Sequence, residues 1–476
     1  MTWTDLAPLG VELILLAGAL SLLIVDLILP PGDKRILGIG TLGVFLAGLL
    51  ATWTLPLDGL ALGGAYEGDA MGVFLKRVFL LSGALAVLAV QGHGPKAWPR
   101  RQGEYHQLIL YSVLGMSLLS GVRDLILLAV AFELMGVPLY ALAAWQKRDA
   151  GAAEGALKLY LTGAVSSAAT LYGFSVLYGL SGSTRIADVA AAVSAHPSPL
   201  LALGATVAVA GMGFKLGVVP FHMWVPDTYE GSPTPFIAFL SVGPKAAGAA
   251  ALVQLLLPGH GALLGTVMEL FLVLSAASLV LATLMALPQS NVKRLLAFSG
   301  IGHMGILLMA IATGTVDGLA SLLFYLLGYL FTNAGAFVVV HAIREDGGDD
   351  SIDSFNGLVH RSWFLSGAML LFLLSLAGVP FVVGFWAKLF VFMAAWQAGF
   401  EWLVILGALV SVLSLFYYLR VAKAMFMGTT ERRDEVPMHW SVRLAVSICL
   451  IAITGMGLYP NPFVAVAEAA AKAFLG

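Results

Sequence analysis

Residues 200–224 read LLALGATVAVAGMGFKLGVVPFHMW. The run carries one charge, Lys215, and one proline, Pro220. An apolar stretch of this length is a membrane-crossing helix, because roughly 20 such residues span a hydrocarbon core of ~30 Å. Proline removes a backbone donor and frees a carbonyl, so the helix is expected to unwind near 220. An ionisable side chain at membrane depth costs at least ~2.5–3.5 kcal/mol and is a functional candidate by default. Snorkelling to an interface would need a place near a helix end, and Lys215 lies well before Trp224.

The rest of the chain has the same character. Of its 476 residues, 59% are hydrophobic and only 11% charged, against ~25% charged in a soluble domain. The fold class expected is an all-α polytopic membrane protein. The twenty-residue rule gives about fourteen spans, roughly 9–29, 36–55, 70–91, 105–121, 124–145, 154–180, 200–224, 234–257, 261–287, 295–313, 318–343, 362–398, 402–427 and 441–459. The first run has no basic n-region and reads as a helix of the mature chain. A net charge of −2 gives no hint of nucleic acid. The single Cys449 excludes a disulfide framework and a cysteine-ligated cluster within this chain. No His, Cys and carboxylate set has metal spacing, and no Walker loop is present, so ATP is not the energy source.

Four more charges interrupt apolar segments. Glu133 sits in DLILLAVAFELMGVPLYALAAW (124–145), Lys158 near the start of its span, Lys245 in FLSVGPKAAGAAALV (239–253) and Lys388 in LAGVPFVVGFWAKLF (376–390). Burial favours the neutral form of such a group, and an opposite charge nearby restores the ionised one. A line of lysines with a carboxylate therefore suggests a proton path, with Glu133, Lys215, Lys245 and Lys388 as its members. Lys158 is a secondary candidate that is equally placed to snorkel. His222 and His303 are secondary candidates too, as proton carriers near neutral pH or as structural histidines. Glu133 has its own bland reading, a protonated carboxyl bonded to a neighbouring helix. Glu12, Asp26, Lys76 and Arg77 are expected near helix ends or in contacts with partner helices and stay outside the path.

Segment 362–398 is too long for one straight helix and contains Gly378, Pro380 and Gly384, so two half-helices with an unwound middle are expected. Together with 200–224 it forms a pair of interrupted helices, each the fourth in a run of five spans. Paired breaks in two halves point to an ion path. The organisation expected is 1–104 as N-terminal helices 1–3, 105–257 and 258–427 as two inverted five-helix repeats, and 428–476 as a C-terminal helix. Basic residues cluster on alternate loops: Lys34, Arg35, Lys96, Arg100, Arg101, Lys147, Arg148, Lys293, Arg294, Arg344, Arg361, Lys423, Arg432, Arg433 and Arg443 on one side, little beyond Arg123 and Arg185 on the other. That bias places both termini in the periplasm of an inner membrane. Gly38-x-Gly40-x-x-Gly43 and Gly300-x-Gly302-x-x-Gly305 mimic a dinucleotide fingerprint but lack its βαβ setting, and read as close helix packing.

FELMGVPLYAL (132–142), FKLGVVPFHMWVPDTYEGSPTP (214–235) and SNVKRLLAFSGIGHMGILL (290–308) resemble the antiporter-like membrane subunits of respiratory complex I. FYLLGYLFTNAGAF (324–337) and LLSLAGVPFVVGFWAKLF (373–390) are most similar to the subunit N branch of bacterial NADH-quinone oxidoreductase. Nearly the whole chain is covered. The resemblance implies a proton-translocating subunit of the enzyme complex, with Glu133 paired to Lys215, Lys245 connecting, His303 as a bridge towards Lys388, and Lys388 loading or releasing on the far side. A lysine at Lys388 is the subunit N pattern; Phe381 after Pro380 departs from it. The resemblance further implies no cofactor in this chain, with flavin, iron–sulfur clusters and quinone in partner subunits, and partners among other membrane-arm subunits and the lipid bilayer. Two other readings share these motifs: a subunit of a multi-subunit sodium/proton antiporter or of a hydrogenase- or ferredoxin-driven complex, and a structural arm that moves no protons.

Overall fold

A computed structural model describes residues 6–30, 32, 34–92, 101–432 and 434–476; Lys96, Arg100 and Arg433 of the charge pattern lie outside these residues. The chain is helical almost throughout. The N-terminal helices are α1 (Gly10–Ile28), α2 (Arg35–Thr54) and α3 (Ala70–Val90), with a small hairpin, β1 (Gly59–Ala61) and β2 (Tyr66–Gly68), between the last two. Then follow α4 (Gln102–Leu119), α5 (Leu125–Ala143), α6 (Ala150–Ser181), α7 (Pro199–Leu216), α8 (Trp224–Gly231), α9 (Thr234–Leu240) and α10 (Gly243–Leu256). The second half holds α11 (Pro258–Ala286), α12 (Val292–Ala312), α13 (Val316–Glu345), α14 (Trp363–Ala377), α15 (Val383–Gln397), α16 (Glu401–Met427), α17 (Trp440–Leu458) and α18 (Asn461–Leu475). Among the described residues, eleven helical segments are long and apolar enough to cross a membrane.

These segments differ in how deeply they sit. The α9–α10 span is fully buried and α12 and α13 are 94% buried in their apolar windows, whereas the N-terminal span including α1 is 22% buried. Apolar residues on all sides make a helix central or lipid-facing. Here α9–α10, α12 and α13 form the centre, and α1, α2 and α16 leave Leu27, Trp53 and Phe416 exposed on the outer surface.

Both expected helix breaks are present and are built alike. α7 stops at Gly217 (φ 70°), whose N–H bonds to Gly213 and Phe214 carbonyls while Val218 N–H reaches Gly213. α14 stops at Gly378 (φ 88°), bonded to Leu374 and Ser375, with Val379 N–H on Leu374. A left-handed glycine closing a helix in this pattern satisfies carbonyls that would otherwise face the low-dielectric interior. Pro220 and Pro380 follow and prevent the helix from resuming at once. A third break was not expected. The 234–257 span is divided at Ser241–Val242, because Pro244 in the first turn of α10 has no N–H to continue the helix from α9.

One placement corrects the sequence reading. Lys293 and Arg361, counted there as loop charges, are buried: Lys293 pairs with Asp350 at 3.2 Å and Arg361 with Asp346 at 2.5 Å. Glu12 and Lys76, expected near helix ends or in contacts with partner helices, make such a contact with each other at 3.0 Å.

Candidate functional site

Each helix break carries a buried lysine. Lys215 occupies the last turn of α7, the end of a helix that favours a cation. Its stem lies against Gly248 of α10, and its Nζ reaches the α5 surface beside Gly136, donating to Tyr140 Oη at 3.3 Å. The Phe132 ring centroid lies 5.5 Å from Nζ. A Cβ at 136 would sit 2.5 Å from the ammonium, so a side chain there would displace Lys215 Nζ.

Glu133 lies on α5 one helical turn before Gly136. The expected Glu133–Lys215 ion pair is not made: Glu133 Oε1 accepts instead from Ser167 Oγ of α6. The carboxylate and the ammonium therefore stand apart, near the same stretch of α5 and held by different hydroxyls.

Lys245 is in the first turn of α10, just after the unexpected break. Its Nζ lies 5.5 Å from the Tyr229 ring centroid and has no hydrogen-bond partner among the described residues. It faces a notch in α12 at Gly300, where a Cβ would be 3.0 Å from both Lys245 Nζ and Tyr329 Oη. His303 follows one turn later on α12. Its ring centroid is 5.1 Å from that of Tyr329, its Nδ1 shares a hydrogen bond of 2.5 Å with Tyr325 Oη, and Tyr418 Oη stands 3.5 Å from Nε2. Tyr418 is in turn bonded to Ser299.

His303 and Lys388 share the lining of two small cavities, of about 20 and about 10 Å³. The larger is big enough for about one water molecule. Lys388 reaches back across its break to Ala377 O at 3.0 Å, and to Ser411 Oγ at 3.3 Å. Sequence order about the two prolines is reversed, with Lys215 before Pro220 and Lys388 after Pro380. Both ammonium groups nevertheless belong to the C-terminal end of the first half-helix, where carbonyls concentrate negative potential.

The structure joins Lys245, His303 and Lys388 through Tyr329 and the two cavities, and packs the Lys215 stem on α10 one turn beyond Lys245, with Glu133 on the α5 stretch that its Nζ reaches. It leaves two candidates out. Lys158, its side chain 42% exposed, pairs with Asp227 and Glu154 at 2.6 Å each, and Asp227 passes the contact to Arg294 at 2.7 Å. This is the snorkelling alternative realised as a surface network that ties α6 and α12 to α8. His222 is half-buried in the break after α7. Sequence reasoning missed Tyr140, Tyr325, Tyr329 and Tyr418. Tyr325 and Tyr329 are four residues apart on one helical face, the one signal that could have found them.

The chain matches the family described as NADH:quinone oxidoreductase/Mrp antiporter, TM, over residues 122–414. It is 40% identical to NADH-quinone oxidoreductase subunit N of Moorella thermoacetica, over 96% of each chain. It is 36% identical to the subunit N of Desulfitobacterium hafniense, over 99% of each. Among solved structures, a chain of Thermus thermophilus respiratory complex I with bound aureothin superposes with a TM-score of 0.82 at 33% identity, covering 96% of this chain and 99% of that one. A chain of the Mrp complex from Dietzia shares the fold with a TM-score of 0.85 at 19% identity, covering 100% of both. The chain belongs to the family of antiporter-like membrane subunits of NADH:quinone oxidoreductase and Mrp complexes.

Proposed function

We propose that this chain is the proton-translocating subunit N of an NADH-quinone oxidoreductase, and that Glu133, Lys215, Lys245 and Lys388 carry the proton with His303 between the last two. The observation that supports this best is the set of buried lysines itself. Three buried lysines stand at three separate breaks, Lys215 on a tyrosine hydroxyl, Lys245 at a glycine notch and Lys388 beside two small cavities shared with His303. Packing alone gives no reason to bury three ammonium groups with no carboxylate bonded to any of them.

A carboxylate drawn near a buried lysine holds its proton, and one drawn away releases it. Glu133, gripped by Ser167, is in the withdrawn arrangement. Movement of Glu133 between Ser167 and Lys215 would then load and unload Lys215, and the proton would pass by Lys245 and His303 to Lys388. Residues 105–257 and 258–427 act as two inverted repeats, each contributing one broken helix. Fourteen crossings put both termini on the periplasmic side of the inner membrane. Flavin, iron–sulfur clusters and quinone belong to partner subunits, and neighbouring membrane-arm subunits supply the disturbance that moves Glu133.

Lys215→Met in the assembled complex, reconstituted in vesicles, tests the reading. Redox-driven proton uptake is expected to fall to below about a tenth of wild type, a barrier change above ~1.4 kcal/mol, with assembly intact. Unchanged uptake and turnover would leave only a structural arm. A sodium/proton antiporter subunit would instead show exchange in vesicles lacking the redox partners.

A further inference from the structure

The groove between α13 and α15 contains two chambers with separate linings. The outer one, about 260 Å³, opens beside α18 and is lined by Asp317, Ser321, Gln397 and Glu468, with Phe324 and Phe390. The inner one, about 10 Å³, holds Lys388 among Tyr325, Tyr329 and Ser375. The two helices run antiparallel here, since Asp317 shares the outer chamber with Gln397 while Gly328 packs on Val383. Along α13 the lining passes from 317 and 321 to Phe324 and then to 325 and 328; along α15 it passes from 397 and 394 to Phe390 and then to 388 and 387. The two phenylalanines therefore stand where the outer lining gives way to the inner one.

Their geometry is that of a closed plug. The rings meet edge to face at 5.5 Å and 67°, and Phe324 is 1% exposed. Phe390 is fixed from behind, stacked on Trp386 at 5.8 Å, whose indole N–H donates to Gly457 O at 2.8 Å. Phe324 has no such anchor, so rotation of its ring is the smaller motion that opens the passage. A purely apolar constriction interrupts a chain of water and with it proton transfer.

We propose that Phe324 and Phe390 form a hydrophobic gate between Lys388 and an outer chamber in which Asp317 and Glu468 take up its proton. The inference rests on Lys388 being the last member of the relay, and adds the barrier and the acceptors beyond it. When the gate is open, the Lys388 N–H bond breaks and a carboxylate O–H bond forms through intervening water. The ammonium becomes an amine, the carboxylate a carboxyl, and no other reactant is consumed.

The resting complex in liposomes, without electron donor and under an imposed pH gradient, reports on the gate directly. Phe324→Ala is expected to leak protons several-fold faster than wild type, and Phe324→Leu, which keeps the apolar bulk, to stay tight. Adding Lys388→Met to Phe324→Ala should remove the leak. A tight Phe324→Ala complex, or a leak that persists without Lys388, overturns the proposal. A second measurement needs no change at the phenylalanines. In a Cys449→Ala background, Ag⁺ added from the α18 face should modify Ser321→Cys and spare Ser375→Cys; modification of both overturns the gate. The silver assay does not depend on proton transfer, so a failed relay at Lys215 leaves its outcome unchanged while a failed gate does not.

Discussion

At the scale of single residues, the charges were legible and their hydroxyl partners were not. Glu133, Lys215, Lys245 and Lys388 stand out because no other charge stands near them in the sequence. Tyr140, Tyr329 and Tyr418 do not, because tyrosine is an ordinary component of membrane helices at their water interfaces, and only helix rotation decides whether its hydroxyl turns inward. Gly300 shows the same limit. In sequence it looked like packing against a neighbour, and in the structure it also makes the space into which Lys245 Nζ and Tyr329 Oη point. Gly300→Ala would put a methyl 3.0 Å from both. It is expected to lower turnover and proton uptake together while the complex assembles normally; equal activity of variant and wild type would show that the notch is only a packing detail. The Glu133–Lys215 pair illustrates a different gap. Family resemblance implied the pairing, but which of two rivals holds a carboxylate depends on side-chain geometry, and Ser167 holds it here.

At the scale of elements, breaks containing both glycine and proline could be read, and a break with proline early in the next helix could not. Gly217–Pro220 and Gly378–Pro380 combine a left-handed stop with a residue that cannot restart a helix. Pro244 alone is equally at home in the first turn of an uninterrupted-looking segment, so the break at Ser241–Val242 stayed hidden. Loops follow their own electrostatics. Asp349, between α13 and α14, accepts from Ser351 Oγ at 2.5 Å, Ser354 Oγ at 2.5 Å and Ser351 N–H at 2.9 Å. The hydroxyls of Ser351 and Ser354 and that N–H hold its carboxyl down at about 2, below the ~3.9 of a free aspartate. A depressed folded value means that the contribution is complete above pH ~4 and disappears as the pH falls towards 2. Cleavage of this loop by an acid-active protease should therefore rise between pH ~4 and 2 in wild type. In Asp349→Ala it should already be raised at pH 5; identical profiles would show that the carboxylate does not order the loop.

At the scale of the whole molecule, the sequence carried the class and the two interrupted spans, but not which charges belong to the loops. Lys293 and Arg361 entered the charge asymmetry as surface residues and are buried partners of Asp350 and Asp346. Long-range pairing is invisible to any local pattern, and Glu12 with Lys76 is the clearest instance. The pair joins α1 to α3, Ser117 Oγ of α4 donates to Glu12 at 2.7 Å, and Lys76 Nζ donates to Pro8 O at 3.1 Å. Lys76→Met alone strands a buried carboxylate and is expected to cost about 3–5 kcal/mol, whereas Glu12→Gln with Lys76→Met should recover most of that. Thermal stability of the purified complex measures both, and equal losses in single and double variants would show that the pair is not coupled. A last consequence concerns the proposed relay. Lys215, Lys245 and Lys388 each stand beside a break inside an apolar span, so the proposed transfer passes between helices rather than along one. Moving a charge through the full membrane voltage takes ~2.3 kcal/mol per 100 mV, and a step between groups at equal depth would do almost no work against that voltage. In such a relay the electrical work would fall on the passages that join it to the two faces of the membrane.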